Sequence, residues 1–223
     1  MKKVLSLAML IFLSTVAFAQ GEKAIMFGAG LNKFSGDIGG SEFSDIFKND
    51  MGFGGSAAFR YVFPFRLGLR AFAEYDVYRG KDAEPSSETV QHIFNSNVFS
   101  VGGQLEFILW GNNYLEKTIP HSIYIFGGAK KAFVNSLLDD VLRAKESTGG
   151  YFGGVGYHYR INETFALGVE MKQIMFFSDN IDGYNPHHSS NKNKDTAFDV
   201  KLTFSYFIPG STKTKGRWEL LGK

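Results

Sequence analysis

The stretch Ala197–Ile208, near the end of the chain, limits the available folds more than any other. It reads Ala-Phe-Asp-Val-Lys-Leu-Thr-Phe-Ser-Tyr-Phe-Ile. In an extended chain Phe198, Val200, Leu202, Phe204, Tyr206 and Ile208 share one face, and Ala197, Asp199, Lys201, Thr203 and Ser205 share the other. The apolar face is uninterrupted over about a dozen residues, the length a tilted strand needs to cross hydrocarbon. The other face carries an acid and a base two residues apart. This pattern predicts a strand with lipid on one side and a polar lumen on the other.

Seven earlier stretches repeat the alternation. They run at about Ala24–Asn32, Phe53–Phe63, Arg66–Tyr78, Val98–Trp110, Ser122–Lys130, Tyr151–Ile161 and Thr164–Met175. Outward positions include Ile25, Phe27 and Leu31; Phe53, Phe59, Tyr61 and Phe63; Leu67, Leu69 and Tyr75; Phe99, Val101, Leu105 and Phe107; Tyr151, Val155, Tyr157 and Tyr159; Leu167, Val169 and Met171. The fifth stretch is less regular, because Tyr124 and Phe126 would have to face inward. Eight strands result, joined by connections that read long, short, long, moderate, long, short, long. Within the third long connection, Leu138, Val141 and Leu142 stand at helical spacing, Ser136 and Asp139 form a capping-box pattern, and Gly149 offers a stop, so a short helix is expected.

The fold predicted is all-β: an eight-stranded antiparallel transmembrane outer-membrane β-barrel with long extracellular loops and short periplasmic turns. Closure is required because hydrocarbon offers backbone groups no partner. A soluble β-sandwich is the competing reading, but it has no reason to alternate loop lengths so regularly. The 26 glycines and 23 phenylalanines of the chain suit a barrel in which small residues face bulky neighbours.

Residues 1–19 read as a secretory signal peptide: Lys2 and Lys3, the apolar run Val4–Val16, and Ala17-Phe18-Ala19 as a small-x-small cleavage site. Its removal takes two lysines from the 24 Lys and Arg, leaving 22 against 22 Asp and Glu. The mature chain is therefore neutral, and nothing points to a nucleic-acid partner. Cysteine is absent, which excludes disulfides, thiol catalysis and thiolate metal sites. The domain reading is signal peptide 1–19, barrel 20–208 and periplasmic tail 209–223, in the outer membrane of a Gram-negative cell.

The inward positions collect Arg60, Arg70, Glu74, Asp76, Glu106, Lys130, His158, Arg160, Glu170, Lys172, Asp199 and Lys201. Buried charges of both signs must pair, and an eight-stranded barrel is just filled by its own side chains. A lumen closed by one polar network is expected, and a selective channel is not. Tyr61, Phe63, Trp110, Tyr157 and Tyr159 fall near the short turns, where an interfacial aromatic girdle belongs.

Four stretches carry a family resemblance: Leu31-Asn-Lys-Phe-Ser-Gly-Asp-Ile-Gly39, the run from Phe94 to Phe107, Phe177-Ser-Asp-Asn-Ile-Asp-Gly-Tyr-Asn-Pro186, and the Asn-rich lead into the last strand. Through them the chain resembles the small outer-membrane barrels of Bacteroidetes typified by PorG, a component of the type IX secretion system. The resemblance implies a non-enzymatic barrel, without cofactor, that meets outer-membrane lipid and periplasmic proteins of the secretion machinery.

Other candidate sites are weaker. His187, His188, Ser189 and Ser190 offer the residue types of a hydrolase or a metal site, but adjacent histidines in an Asn/Ser/Lys-rich stretch read first as solvated. Asp179, Asn180, Asp182 and Asn185 carry oxygen ligands suited to calcium, against the simpler reading of turns closed by Gly183 and Pro186. The tail places Lys213, Lys215 and Arg217 before Trp218, Leu220 and Leu221, a segment suited to docking on a periplasmic protein. Alternative functions are a surface-binding barrel that uses its outer loops, and an outer-leaflet lipid hydrolase.

Overall fold

The computed structural model describes residues 21–35, 51–63, 65–81, 93–111, 119–138, 141–178, 181 and 195–208. They form eight strands: β1 (Glu22–Ser35), β2 (Met51–Val62), β3 (Leu67–Lys81), β4 (Ile93–Gly111), β5 (His121–Leu138), β6 (Val141–Arg160), β7 (Phe165–Phe176) and β8 (Thr196–Phe207). Each pairs antiparallel with its sequence neighbours, and β1 closes on β8 with Ala24 opposite Phe207 and Ser35 opposite Thr196. The wall is a closed barrel, so neither β1 nor β8 is left as a free edge along that register. Among the described residues no helix is long and apolar enough to cross a membrane; the strands do the spanning.

Strand parity decides what faces where. Phe27, Phe53, Phe99, Leu105, Leu167 and Leu202 point outward and are exposed, while Met26, Gln104, Glu106, Lys201 and Thr203 are buried in the lumen. The same holds in β5: Tyr124 and Phe126 do face inward and are buried. Phe72, Phe126 and Phe152 form an aromatic layer across the interior, with Phe72 and Phe152 edge-to-face at 5.5 Å. Inward glycines make room for them. A Cβ on Gly154 would lie 2.6 Å from Phe126, and one on Gly128 would lie 2.7 Å from Phe152.

Two expectations are corrected. The segment read as a helix is strand: β5 continues to Leu138, β6 begins at Val141, and these two residues pair. No long connection exists there. The helical spacing loses because β4 already offers β5 a ladder as far as Phe94 opposite Leu138, whereas an isolated helix of three turns is marginal in water. A register shift at Ser136/Leu137 lets the hairpin close. Tyr61 is outward by parity yet buried, since its ring lies under the backbone at Gly21, whose N–H donates to its hydroxyl at 2.9 Å. It pins the entry of β1 instead of standing free in a girdle; Trp110, Tyr157 and Tyr159 are exposed at that end.

Candidate functional site: the barrel interior and its two ends

The interior is divided into layers, and the twelve residues expected to form one network form two, plus a separate group. Nearest the short turns, Glu106 is gripped by two arginines. Arg60 Nε lies 2.6 Å from its Oε2 and Arg70 Nη2 2.5 Å from its Oε1. Arg70 also reaches Glu170, with Nη1 2.7 Å from Oε1. Glu170 accepts from the Tyr124 hydroxyl at 2.5 Å. His158 sits between them, its Nδ1 3.2 Å from Arg60 Nη1 and its Nε2 3.2 Å from the Tyr124 hydroxyl. Gln104 Nε2 donates to Glu106 Oε1 at 3.0 Å. Two arginines face two glutamates, so this cluster is neutral by ion pairing.

The second cluster uses lysines. Lys172 Nζ lies 2.5 Å from Glu74 Oε1 and 3.5 Å from Asp199 Oδ2. Lys201 Nζ lies 2.8 Å from Asp76, 3.5 Å from Glu74 and 3.7 Å from Asp199. Lys130 Nζ is 3.7 Å from Glu74 and also sits 5.2 Å from the centre of the Phe176 ring. Lys172 faces Phe72 and Phe152 at 5.8 and 5.4 Å. Three lysines face three carboxylates, again neutral. All these residues are buried except Glu170, which is partly so. A buried ion deprived of its partner is costly, so each cluster holds its members in place.

Arg160 belongs to neither cluster. It closes the short-turn end: Nη2 lies 2.5 Å from Glu22 Oε1 and donates to the Glu163 carbonyl at 3.0 Å, and its guanidinium stacks 4.0 Å from the centre of the Phe207 ring. The adjoining turn is fixed by Asn162, whose Oδ1 accepts from the N–H groups of Thr164 and Phe165, both at 2.8 Å.

At the opposite end the lumen is apolar. Phe34, Tyr78, Phe94 and Phe176 pack together, with Phe34 5.1 Å from Phe94 and Tyr78 6.2 Å from Phe176. Into this cluster descends Ile181, from the connection between β7 and β8, and it is fully buried. Its N–H donates to Asp195 at 2.8 Å. Its carbonyl accepts from the hydroxyls of Ser96, at 2.5 Å, and Ser136. Ser136, which the helical reading cast as a cap, thus anchors a stopper.

The expected polar network omits Tyr124, Gln104, Ser96, Ser136 and Ile181, although the alternation already turns Tyr124 and Gln104 inward. The parity of β4 and β5 marks the first four as inward; nothing local marks Ile181, whose burial depends on partners distant in sequence. The candidate residues Asp179, Asn180, Asp182, Asn185, His187, His188, Ser189 and Ser190, the tail residues Lys213, Lys215, Arg217, Trp218, Leu220 and Leu221, and the signal-peptide segment lie outside the described residues.

An apolar wall outside, paired charges inside and closure by β1 on β8 define the architecture of outer-membrane β-barrels. The chain belongs to the family DUF6089, a domain of unknown function, which matches residues 2–199. No curated protein matches it. Among solved structures it is similar to a major outer membrane protein of Thermus thermophilus, at 14% identity and a TM-score of 0.55, over 84% of this chain and 99% of that one. It also matches Ail, the attachment invasion locus protein of Yersinia pestis, solved with the heparin analogue sucrose octasulfate, at 16% identity and a TM-score of 0.47 over 85% and 99% of the chains. The outer membrane protein OprG of Pseudomonas aeruginosa matches at 13% and 0.47, over 84% and 96%. At 14% identity the Thermus protein shares the fold, and its function does not transfer.

Proposed function

We propose that this protein is a non-enzymatic anchor in the outer membrane, with its short turns in the periplasm, that holds periplasmic proteins of a secretion machinery to the membrane. The observation that carries this reading is the filled interior. Among the described residues two charge-balanced clusters, an aromatic layer and Ile181 occupy the interior at successive levels, which favours the ends and the outer wall as the working surfaces. The resemblance of Leu31–Gly39, Phe94–Phe107 and Phe177–Pro186 to the PorG-like barrels favours the type IX secretion apparatus as the machinery. The tail, with Trp218, Leu220 and Leu221, is the segment suited to engage its proteins.

Tagged protein extracted from outer membranes in mild detergent should recover periplasmic ring components in stoichiometric amount, and a chain lacking residues 211–223 should not. Recovery of the barrel alone would refute the anchor. A second reading rests on a different observation: β4, β5 and β6 span 19, 18 and 20 residues against 12 in β2, β7 and β8. The sheet they form rises past the rest of the rim, so binding of surface molecules there is favoured if no periplasmic partner is recovered.

A further inference from the structure

The outer wall is not uniformly bulky. Across β3, β4 and β5 the outward positions Ala71, Gly103 and Ala129 are directly paired in one row, and Gly127 lies in the next. Together they floor a groove of about 630 Å³, rimmed by Phe59, Leu69 and Leu105. Packing does not demand these small residues. A Cβ on Gly103 would meet nothing nearer than 3.7 Å and one on Gly127 nothing nearer than 3.5 Å, both backbone oxygens at ordinary contact distance. The inward neighbours Gly102 and Gly128 would clash at 2.4 and 2.2 Å. The hollow is therefore a feature of the outer surface and not a by-product of filling the lumen.

A cation adjoins it. Lys131 is outward and exposed, two residues beyond Ala129 on the same face, about 7 Å along the strand. It lies between Val101 on β4 and Gly149 on β6. Among the described residues it makes no ion pair or hydrogen bond. Ten residues on from His121, it stands roughly 25 Å up the tilted wall, near the far boundary of the hydrocarbon. Beyond it Phe133 stacks on Phe99 at 6.3 Å, as aromatic rings do at an interface. An apolar groove ending at an uncompensated cation at that depth complements one kind of molecule: an amphiphile with an acyl chain below and a phosphate above.

We propose that this groove binds one phosphorylated, acylated glycolipid of the outer leaflet, an acyl chain lying over Gly103, Gly127 and Ala129 and a phosphate paired with Lys131. The choice of leaflet rests on the orientation proposed above; the groove itself does not. The test uses the full chain purified in detergent, equilibrated separately with lipid A and with phosphatidylglycerol, and read by native mass spectrometry. The wild type should retain one lipid A per barrel. Lys131→Gln and the groove-filling Gly127→Leu/Ala129→Leu variant should each lower retention about tenfold, and Lys131→Arg should preserve it. The filling variant folds if its migration on unheated gels matches the wild type, as the open space around Gly127 requires.

Equal retention by all variants would mean non-specific annular lipid and would overturn the proposal. So would a barrel dimer that disappears on filling the groove, since a second copy would then be the occupant. Lys131-dependent retention of phosphatidylglycerol in preference to lipid A would overturn the leaflet assignment and with it the orientation, while leaving the groove intact.

Discussion

Gly153 and Gly154 are neighbours in β6, yet a methyl group added to each would meet opposite surroundings. At Gly154 it would lie 2.2 Å from the Met171 carbonyl oxygen and 2.6 Å from the Phe126 ring; at Gly153 the nearest atom is 3.7 Å away. Gly127–Gly128 and Gly102–Gly103 repeat the contrast. The inner face of the wall is specified by fit, where each ring needs a missing side chain opposite it. On the outer face solvent or hydrocarbon sets only a polarity, and size is free to serve something else. Glycine is abundant in this chain for two separate reasons, and parity tells them apart.

Substitutions on the inner face should do the most damage. Arg70→Met removes the one cation shared by Glu106 and Glu170, leaving Glu106 with Arg60 alone and the part-buried Glu170 without its ion pair, so unfolding in urea, followed by tryptophan fluorescence in micelles, should show a loss of about 3–5 kcal/mol. A loss under about 1 kcal/mol would mean that the cluster is not held by that arginine. Next in size, Gly154→Val should cost about 1–3 kcal/mol by overpacking. Its neighbour Gly153→Val should stay within about 0.5 kcal/mol of the wild type. Equal effects at the two positions would erase the distinction between the faces. A smaller loss than at Gly154 belongs to the stopper: Ser96→Ala combined with Ser136→Ala removes both donors to the Ile181 carbonyl and should cost about 1 kcal/mol. Hydrogen exchange at the Ile181 amide should rise in that variant while the amides of β1 and β8 stay protected.

How far the sequence discloses this structure differs by kind of fact. Period-two alternation assigns the faces of every strand, because parity alone decides whether Asp199 or Leu202 meets the lumen. Parity does not give height. Arg70 and Glu170 lie one hundred residues apart, and only the stagger of the closed barrel brings them level, so the separation of the arginine cluster from the lysine cluster is not legible from residue types. Strand ends are legible poorly for a related reason. Leu138, Val141 and Leu142 carry a helical spacing that would prevail in isolation, and the pairing of Phe94 with Leu138 overrides it. Ile181 is hidden altogether, since its burial rests on contacts with Ser96, Ser136 and Asp195, which no local pattern brings to it.

A barrel filled in this way must work through its surfaces, and its conductance in a planar lipid bilayer decides whether it is filled. With the purified, folded wild type inserted, the current should stay at baseline. A steady, ohmic open level from the wild-type barrel would contradict the closed lumen, because ions would then be crossing an interior that the paired charges, the phenylalanine layer and Ile181 fill.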